Sequence, residues 1–276
     1  MITVAAVINA SYDSEMLQAH PSLAPCIVAF LMVTINNNLA FCRKEQRMNK
    51  GLNEHEKYVI IRPIIGDCEL DTNGFPIIKK TEYNENEWYD IDATNLQNLS
   101  CKSNNDRRIL LMFAHDYRLE NLWNNPLKKV ALFQTFYAIA TPDFSICPQM
   151  NINDLRHNVY KSRWLGRTWQ NYGCTVFPTI QWALPDTYDI AFGGIEKGCV
   201  VVISTLGCQD NREVFLDGFN ETKRRLEPSL IIVYGKMISG MTGKFVNYSY
   251  SDTFSRDSVQ LRIEGISQVF EIKENA

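Results

Sequence analysis

Residues 199–234 read CVVVISTLGCQDNREVFLDGFNETKRRLEPSLIIVY, and this stretch decides the fold. Apolar runs at 200–203 and 230–234 begin and end it, and such runs without alternation are typical of strands buried on both faces. Between them, apolar residues recur at helical spacing over 210–227 and stop at basic residues before Pro228, as helices often do. Parallel strands need a helical connection of this kind, so the stretch predicts a βαβ unit.

The same pattern extends towards the N-terminus. Further apolar runs lie at 109–113, 136–140 and 174–177, and helical patterns lie at 126–134 and 151–171. A short hairpin-like insertion is expected near 186–198. Because crossovers between parallel strands are right-handed, the order of elements predicts an α/β fold with a mostly parallel sheet and helical crossovers. An open doubly wound sheet and a partial barrel both fit this order.

Changes of pattern divide the chain into four parts. Residues 1–47 are expected to be a poorly packed or non-native extension that precedes a start at Met48, or else an apolar hairpin or peripheral anchor. Residues 48–105 are expected to be a loop-rich acidic lead-in packed on the core. The α/β core is predicted over 106–240, and 241–276 is predicted to be a C-terminal extension with a strand or two, or a tail.

The overall composition is that of a globular protein. The chain has 276 residues, of which 45% are hydrophobic and 21% are charged, and its formal net charge is −3. These values exclude disorder, collagen and coiled coil as the main state. They also give no general attraction for nucleic acid or anionic membranes, so any such binding must be local.

The cysteines and the first residues bear on the compartment. None of the eight cysteines forms a C-x-x-C pair, and several lie in apolar runs, so we expect reduced thiols and a cytoplasmic protein. The longest apolar run before Met48 has about ten residues, whereas a membrane span needs about 20. No transmembrane segment is therefore predicted.

Polar or aromatic side chains of functional type follow each predicted strand. They include His115, Asp116, Asp143, Ser145, Gln181, Trp182, Ser204, Thr205 and Tyr234. Because the carboxyl ends of parallel strands meet at one edge of a sheet, where ligands commonly bind, we expect these side chains to converge. P-loop, G-x-G-x-x-G and H-E-x-x-H motifs are absent from the sequence.

The predicted helix at 151–171 carries arginines on one face. Arg156, Arg163 and Arg167 are spaced by seven and four residues, so they share a side of the helix. The planar guanidinium fork suits phosphate or carboxylate groups. The alternatives are a solvated face or salt bridges to the acidic segment at 67–92.

Several segments carry a family resemblance. They are Asp116-Tyr-Arg with Leu122-Trp-Asn-Asn-Pro126, Thr141-Pro-Asp-Phe-Ser145, Tyr160-Lys-Ser-Arg163, Gly173-Cys-Thr-Val-Phe-Pro178 and the segment from Pro228 to Gly235. Over about residues 106–236 the chain resembles a bacterial and phage family known as domain of unknown function 4417. The resemblance implies a phage or mobile-element context and assigns no activity. Near position 115 members tend to have Asp-Asp-Tyr, where this chain has His115-Asp116-Tyr117.

One functional hypothesis is a site for a phosphate-bearing ligand, either a nucleotide or a nucleic-acid end. Asp116 and Asp143 would act as general base or as ligands of a cation such as Mg²⁺. Arg163 and Arg167 would hold the phosphate. Trp182 or Tyr234 would stack on a ring, and His115, Ser145 and Thr205 complete the predicted ligand-binding set. Whether the chain is an enzyme is left open.

The other hypothesis is a non-catalytic interaction protein of a phage or mobile element. The acidic segment at 67–92 and the C-terminal tail would then contact a host protein. The sequence does not decide between the two.

Overall fold

A computed structural model describes residue 62 and residues 68–99, 104–249 and 269–273. All of these residues belong to one structural unit, Tyr58–Ala276. The expected extension at 1–47 lies outside the described residues, and so does most of the C-terminal extension after residue 249.

The strands form two four-stranded sheets. They are β1 (Asp92–Asn95), β2 (Arg108–Leu111), β3 (Ala138–Ala140), β4 (Val176–Phe177), β5 (Val200–Ser204), β6 (Leu230–Tyr234), β7 (Gly243–Tyr248) and β8 (Phe270–Ile272). The first sheet has the order β1-β2-β3-β4 and is parallel throughout. The second has the order β5-β6-β7-β8, in which β5, β6 and β7 are parallel and β8 is antiparallel to β7.

A short bridge joins the two sheets. The backbone N–H of Ile180 donates to the Val202 carbonyl at 2.8 Å, and the N–H of Val202 donates to the Pro178 carbonyl at 2.9 Å. β4 and β5 therefore lie side by side and parallel, so the spatial order of the strands follows the sequence. The prediction of a mostly parallel α/β sheet is confirmed.

Helices connect most of the parallel strands. They are α1 (Asp116–Asn124), α2 (Val130–Phe133), α3 (Ile152–Asn171), α4 (Tyr188–Ala191) and α5 (Arg212–Leu226). The long helices α3 and α5 lie where helical spacing predicts them, whereas the helix predicted over 126–134 shrinks to α2. The expected hairpin-like insertion is wrong, because Pro185 begins a 3₁₀ turn that leads into α4.

Successive side chains along each strand separate into an inner and an outer layer, as the pleat requires. Ile109 and Leu111 of β2 join an inner cluster, to which all seven strands from β1 to β7 contribute, whereas Leu110 packs outside against α1 and α3. In the same way Val201 of β5 packs against α5 on the outside. Right-handed crossovers between sequential strands place the helices on one face, so the sheet must curl to bury the other. The result is a partial barrel, one of the two arrangements that the sequence allows.

The curled sheet extends beyond the predicted core on both sides. β1 comes from the lead-in, and β7 comes from the C-terminal extension. The Tyr248 hydroxyl at the end of β7 donates to the Ile91 carbonyl just before β1, at 3.0 Å. The first and seventh strands are therefore close together.

Close packing also fixes the position of α3. A Cβ atom at Gly166 would lie 2.5 Å from Thr141 Cγ2 and 2.8 Å from Ile78 Cδ1, so only glycine fits without a shift. The missing side chain lets α3 lie against the end of β3, where the polar segment 141–145 begins. In the described part of the chain, no helix combines the length and the apolar content needed to cross a membrane.

Candidate functional site

A cavity of about 560 Å³ lies at the carboxyl ends of the strands. Its lining includes Phe113 after β2, Asp143 after β3, Gln181 and Trp182 after β4, and Ser204 at the end of β5. The volume falls within the range of about 300–1,000 Å³ that is usual for small-molecule sites. Among the described residues, the lining contains one carboxylate and no lysine or arginine.

Asp143 is the charged group of the cavity. Gln181 Nε2 donates to Asp143 Oδ1, and the backbone N–H of Asp143 donates to the Met112 carbonyl at 3.2 Å. Oδ2 accepts no hydrogen bond from the residues that the structure describes. Burial raises the pKa of Asp143 to about 7, the hydrogen bond from Gln181 opposes that rise, and the nearby charge of Asp116 adds to it. The carboxyl group can therefore exchange a proton near neutral pH.

Asp116 holds the segment that carries Asp143. The backbone N–H and the hydroxyl of Ser145 donate to Asp116 Oδ1 at 3.1 and 3.0 Å. Asn158 Nδ2 donates to the Ser145 carbonyl at 2.8 Å, and the N–H of Ile146 donates to Gln181 Oε1 at 3.2 Å. Hydrogen bonds from α1, α3 and the segment after β4 therefore preorganise this wall of the cavity.

Arg163 lies behind the cavity and is only 2% exposed. Its Nε donates to the Gly193 carbonyl and its Nη2 to the Ala191 carbonyl, both at 2.8 Å. Its Nη1 donates to the Thr179 carbonyl at 3.2 Å. Burial lowers the pKa of Arg163 to about 10. The guanidinium thus ties α3 to the turn after α4 and to the segment that leads into Gln181.

The other arginines of α3 face the segment 68–80. Arg156 Nη1 donates to Asn73 Oδ1 at 3.4 Å. The positive charge of Arg167 acts to lower the pKa of Cys68 and of Glu69. Neither arginine lines the cavity. Arg156 therefore reaches the lead-in segment through the amide of Asn73 and not through the salt bridge that was one of the alternatives from the sequence.

Trp182 forms an apolar wall of the cavity. Its indole ring lies directly against Gly218 of α5, where a Cβ would collide with the ring, and its centroid is 5.2 Å from that of Phe215. The absence of a side chain at Gly218 thus places the tryptophan. Of the predicted site residues, Asp143 and Trp182 line the cavity, and Asp116 and Ser145 adjoin it through hydrogen bonds.

The remaining predicted residues lie elsewhere. Thr205 is buried, and its N–H donates to the Tyr234 carbonyl at 3.0 Å. The Tyr234 ring is buried in the inner cluster and stacks against Phe113, with centroids 4.9 Å apart. His115 is exposed and stacks on Tyr117 outside the cavity.

Some lining residues are missing from the predicted set. They include Phe113, Cys147 and Cys208, and also Gln181 and Ser204, which the sequence places at strand ends but to which no ligand-binding role is assigned. Phe113, Gln181 and Ser204 end or directly follow apolar runs, so the rule that selects Asp143 also points to them. The two cysteines carry no such signal. The part of the chain that the structure describes holds no group of three His, Cys, Asp or Glu side chains that could bind a metal ion.

Two phage proteins share part of their sequence with this chain. The Gene 1 protein of Mycobacterium phage D29 is 39% identical over 131 residues, which are 46% of this chain and 48% of that protein. The Gene 1 protein of Mycobacterium phage L5 is 39% identical over 131 residues, which are 46% of this chain and 57% of that protein. The chain spans about half the length of the curated relatives it matches. No solved structure matches it.

The family model described as Domain of unknown function (DUF4417) matches residues 72–251. This range is well over half of the chain, and it contains β1 to β7 and every described residue that lines the cavity. The resemblance inferred from the sequence segments is therefore confirmed, and the chain belongs to the DUF4417 family.

Proposed function

We propose that the chain binds a small ligand with a flat heterocyclic ring, of the nucleoside or nucleotide class, in the cavity at the carboxyl ends of the strands. The observation that carries this proposal is Asp143. Asp143 lies on the cavity wall, and its Oδ1 accepts a hydrogen bond from Gln181. Its Oδ2 accepts none from the residues that the structure describes. A half-buried carboxyl group that is held in place and left with an open acceptor is a typical ligand contact.

The walls favour a ring. Phe113 and Trp182 contribute aromatic surface to the lining, and the polar groups of Asp143 and Gln181 lie close together. An apolar site with a few fixed polar groups binds flat molecules by burial and orients them by hydrogen bonds. The edge of a nucleobase offers ring N–H or amino donors that Asp143 Oδ2 would accept.

A phosphate group would lie outside this cavity. No cation among the described residues lines it, and the donors of Arg163 are bound to main-chain carbonyls. A nucleotide would therefore insert its ring and leave its phosphate towards solvent. Any Mg²⁺ bound to that phosphate would then also lie outside the cavity, away from Asp143, whose Oδ2 accepts from the ring.

Any catalytic role would fall to Asp143. Its pKa of about 7 suits a general acid or base at neutral pH. Asp116 accepts two hydrogen bonds from Ser145, so its role here is to position the segment.

A thermal-shift panel of nucleosides and nucleotides, with and without Mg²⁺, tests the proposal. A ligand at 100 times its Kd should add about 2.7 kcal/mol to the free energy of unfolding. Asp143→Asn should abolish this gain, whereas Asp106→Asn should retain it, because Asp106 is exposed and precedes β2 at the opposite edge of the sheet. No stabilisation across the panel, together with a stoichiometric protein partner in native purification, would instead favour the interaction-protein hypothesis.

A further inference from the structure

An exposed pair of stacked rings lies outside the cavity, at the start of α1. The rings of His115 and Tyr117 are nearly parallel, with an angle of 13° and centroids 5.9 Å apart. Tyr117 is 66% exposed and His115 is also exposed, so much of the pair is in contact with solvent. Single exposed aromatic residues are ordinary, but a preformed stack offers a ready surface for another planar group.

Arg118 completes this surface with a positive charge. Its Nε donates to the Tyr117 hydroxyl at 3.0 Å, which holds the guanidinium beside the ring. Its Nη1 and Nη2 donate to no group in the described part of the chain. Two parallel N–H donors on a fixed guanidinium are the usual partner of a phosphate.

The surface adjoins the cavity. Phe113 lines the cavity and precedes His115 by two residues, which span at most about 7 Å. Asp116, between His115 and Tyr117, bonds to Ser145 in the same segment that carries Asp143. A ligand longer than one nucleotide could therefore reach from the cavity to the stacked rings.

We infer that the stacked pair and Arg118 extend the cavity into a binding site for the end of a single-stranded nucleic acid. This inference rests on the proposed function. The terminal base occupies the cavity, the next base stacks on Tyr117, and Arg118 contacts the phosphate between them. The stacked pair accepts any base, since every base presents a flat face.

The charges limit how this site binds. The chain carries a net charge of −3, and Arg118 is the cation assigned to the phosphate. On single strands each neutralised phosphate contributes about −0.7 to the slope of log K against log salt. We therefore expect a slope near that of one contact, far shallower than for proteins that bind through a basic groove.

The test compares a labelled oligonucleotide of six nucleotides with the corresponding mononucleotide, by fluorescence anisotropy and by competition, on the full chain. Tyr117→Ala should weaken oligonucleotide binding by about 5- to 150-fold, the range for one stacked base, and leave mononucleotide binding unchanged. Tyr117→Phe should weaken binding much less than Tyr117→Ala, because it keeps the stacking ring and removes only the hydroxyl that accepts from Arg118. Arg118→Gln should remove most of the salt dependence.

Tyr89→Ala is the matched control. Tyr89 is 67% exposed, almost the same fraction as Tyr117, but it lies before β1 at the other edge of the sheet, so its loss should change nothing. If the oligonucleotide binds no more tightly than the mononucleotide and Tyr117→Ala alters neither, the inference is overturned and the proposed function stands. If the wild-type chain binds neither molecule, both this inference and the proposed function are overturned.

Discussion

At the scale of single residues, Asp143 and Arg163 show how burial assigns roles to charged groups of the same predicted site. Both were expected to contact ligand from their place in the sequence. The structure leaves an oxygen of Asp143 open on the cavity wall and surrounds Arg163 with carbonyls. Sequence position could predict the edge of the sheet where each lies. It could not predict the partners, because these come from segments far apart in the chain.

Asp143 should make stability depend on pH. Its pKa is about 7 in the folded chain, against an ordinary value of 3.8 for an aspartate, so the folded state binds more protons between these values. The free energy of unfolding should therefore fall as the pH rises from about 4 to about 7. Asp143→Asn should lack this fall. Its free energy of unfolding in urea should exceed that of the wild type by on the order of 2–4 kcal/mol at pH 8, since one pKa unit is worth about 1.4 kcal/mol. A variant with the same pH profile as the wild type would contradict the raised pKa.

We expect Arg163 to stabilise the fold mainly through its hydrogen bonds to main-chain carbonyls. Arg163→Met leaves three main-chain carbonyls without their donor, and we expect a loss on the order of 3 kcal/mol in the free energy of unfolding. Arg156→Met, on the exposed part of the same helix, should change stability by less than about 0.5 kcal/mol. Equal effects of the two substitutions, measured by urea unfolding, would show that the carbonyl contacts contribute little.

At the scale of elements, long apolar runs were sufficient to locate β2 to β6, and helical spacing located α3 and α5. β1 escaped prediction because its sequence, Asp92-Ala-Thr-Asn95, is short and polar and follows an acidic segment. Its burial comes from its neighbours in the sheet and not from an apolar pattern of its own. α1 was not predicted either, because Asp116 in its first turn was interpreted as a site residue and not as the start of a helix.

The contact between α3 and the end of β3 should be sensitive to one methyl group. Gly166→Ala would gain about 1 kcal/mol in helix propensity, but its Cβ would collide with Thr141 and Ile78. Because overpacking costs about 1–3 kcal/mol, we expect a net loss of stability. Thr141→Ser removes the methyl group nearest that Cβ and keeps the hydroxyl that accepts from Ser162 and Thr179.

The double variant tests this interpretation. Gly166→Ala with Thr141→Ser should lose less stability than the sum of the single variants, since contacting residues are not additive. Additive losses in thermal unfolding would mean that the close approach at Gly166 does not limit the packing of α3.

At the scale of the whole molecule, the curvature of the sheet places the candidate site. Sequential parallel strands with helices on the outside bring the ends of β2 to β5 around one cavity. The sequence predicts that these ends share an edge, but it does not distinguish an open sheet from a partial barrel. That choice depends on how seven strands share one inner cluster, which is a property of packing across the whole chain.

The cysteines allow the position of a bound ligand to be measured directly. Cys147 and Cys208 line the cavity, whereas Cys68 lies in the segment 68–80 outside it and serves as an internal control. Alkylation rates of each thiol are measured by peptide mass spectrometry on the full chain, with and without a saturating nucleoside or nucleotide that stabilises the protein. We expect the ligand to slow modification of Cys147 and Cys208 and to leave Cys68 unchanged. If each of the three thiols is modified at the same rate with the bound ligand as without it, a site in this cavity is contradicted.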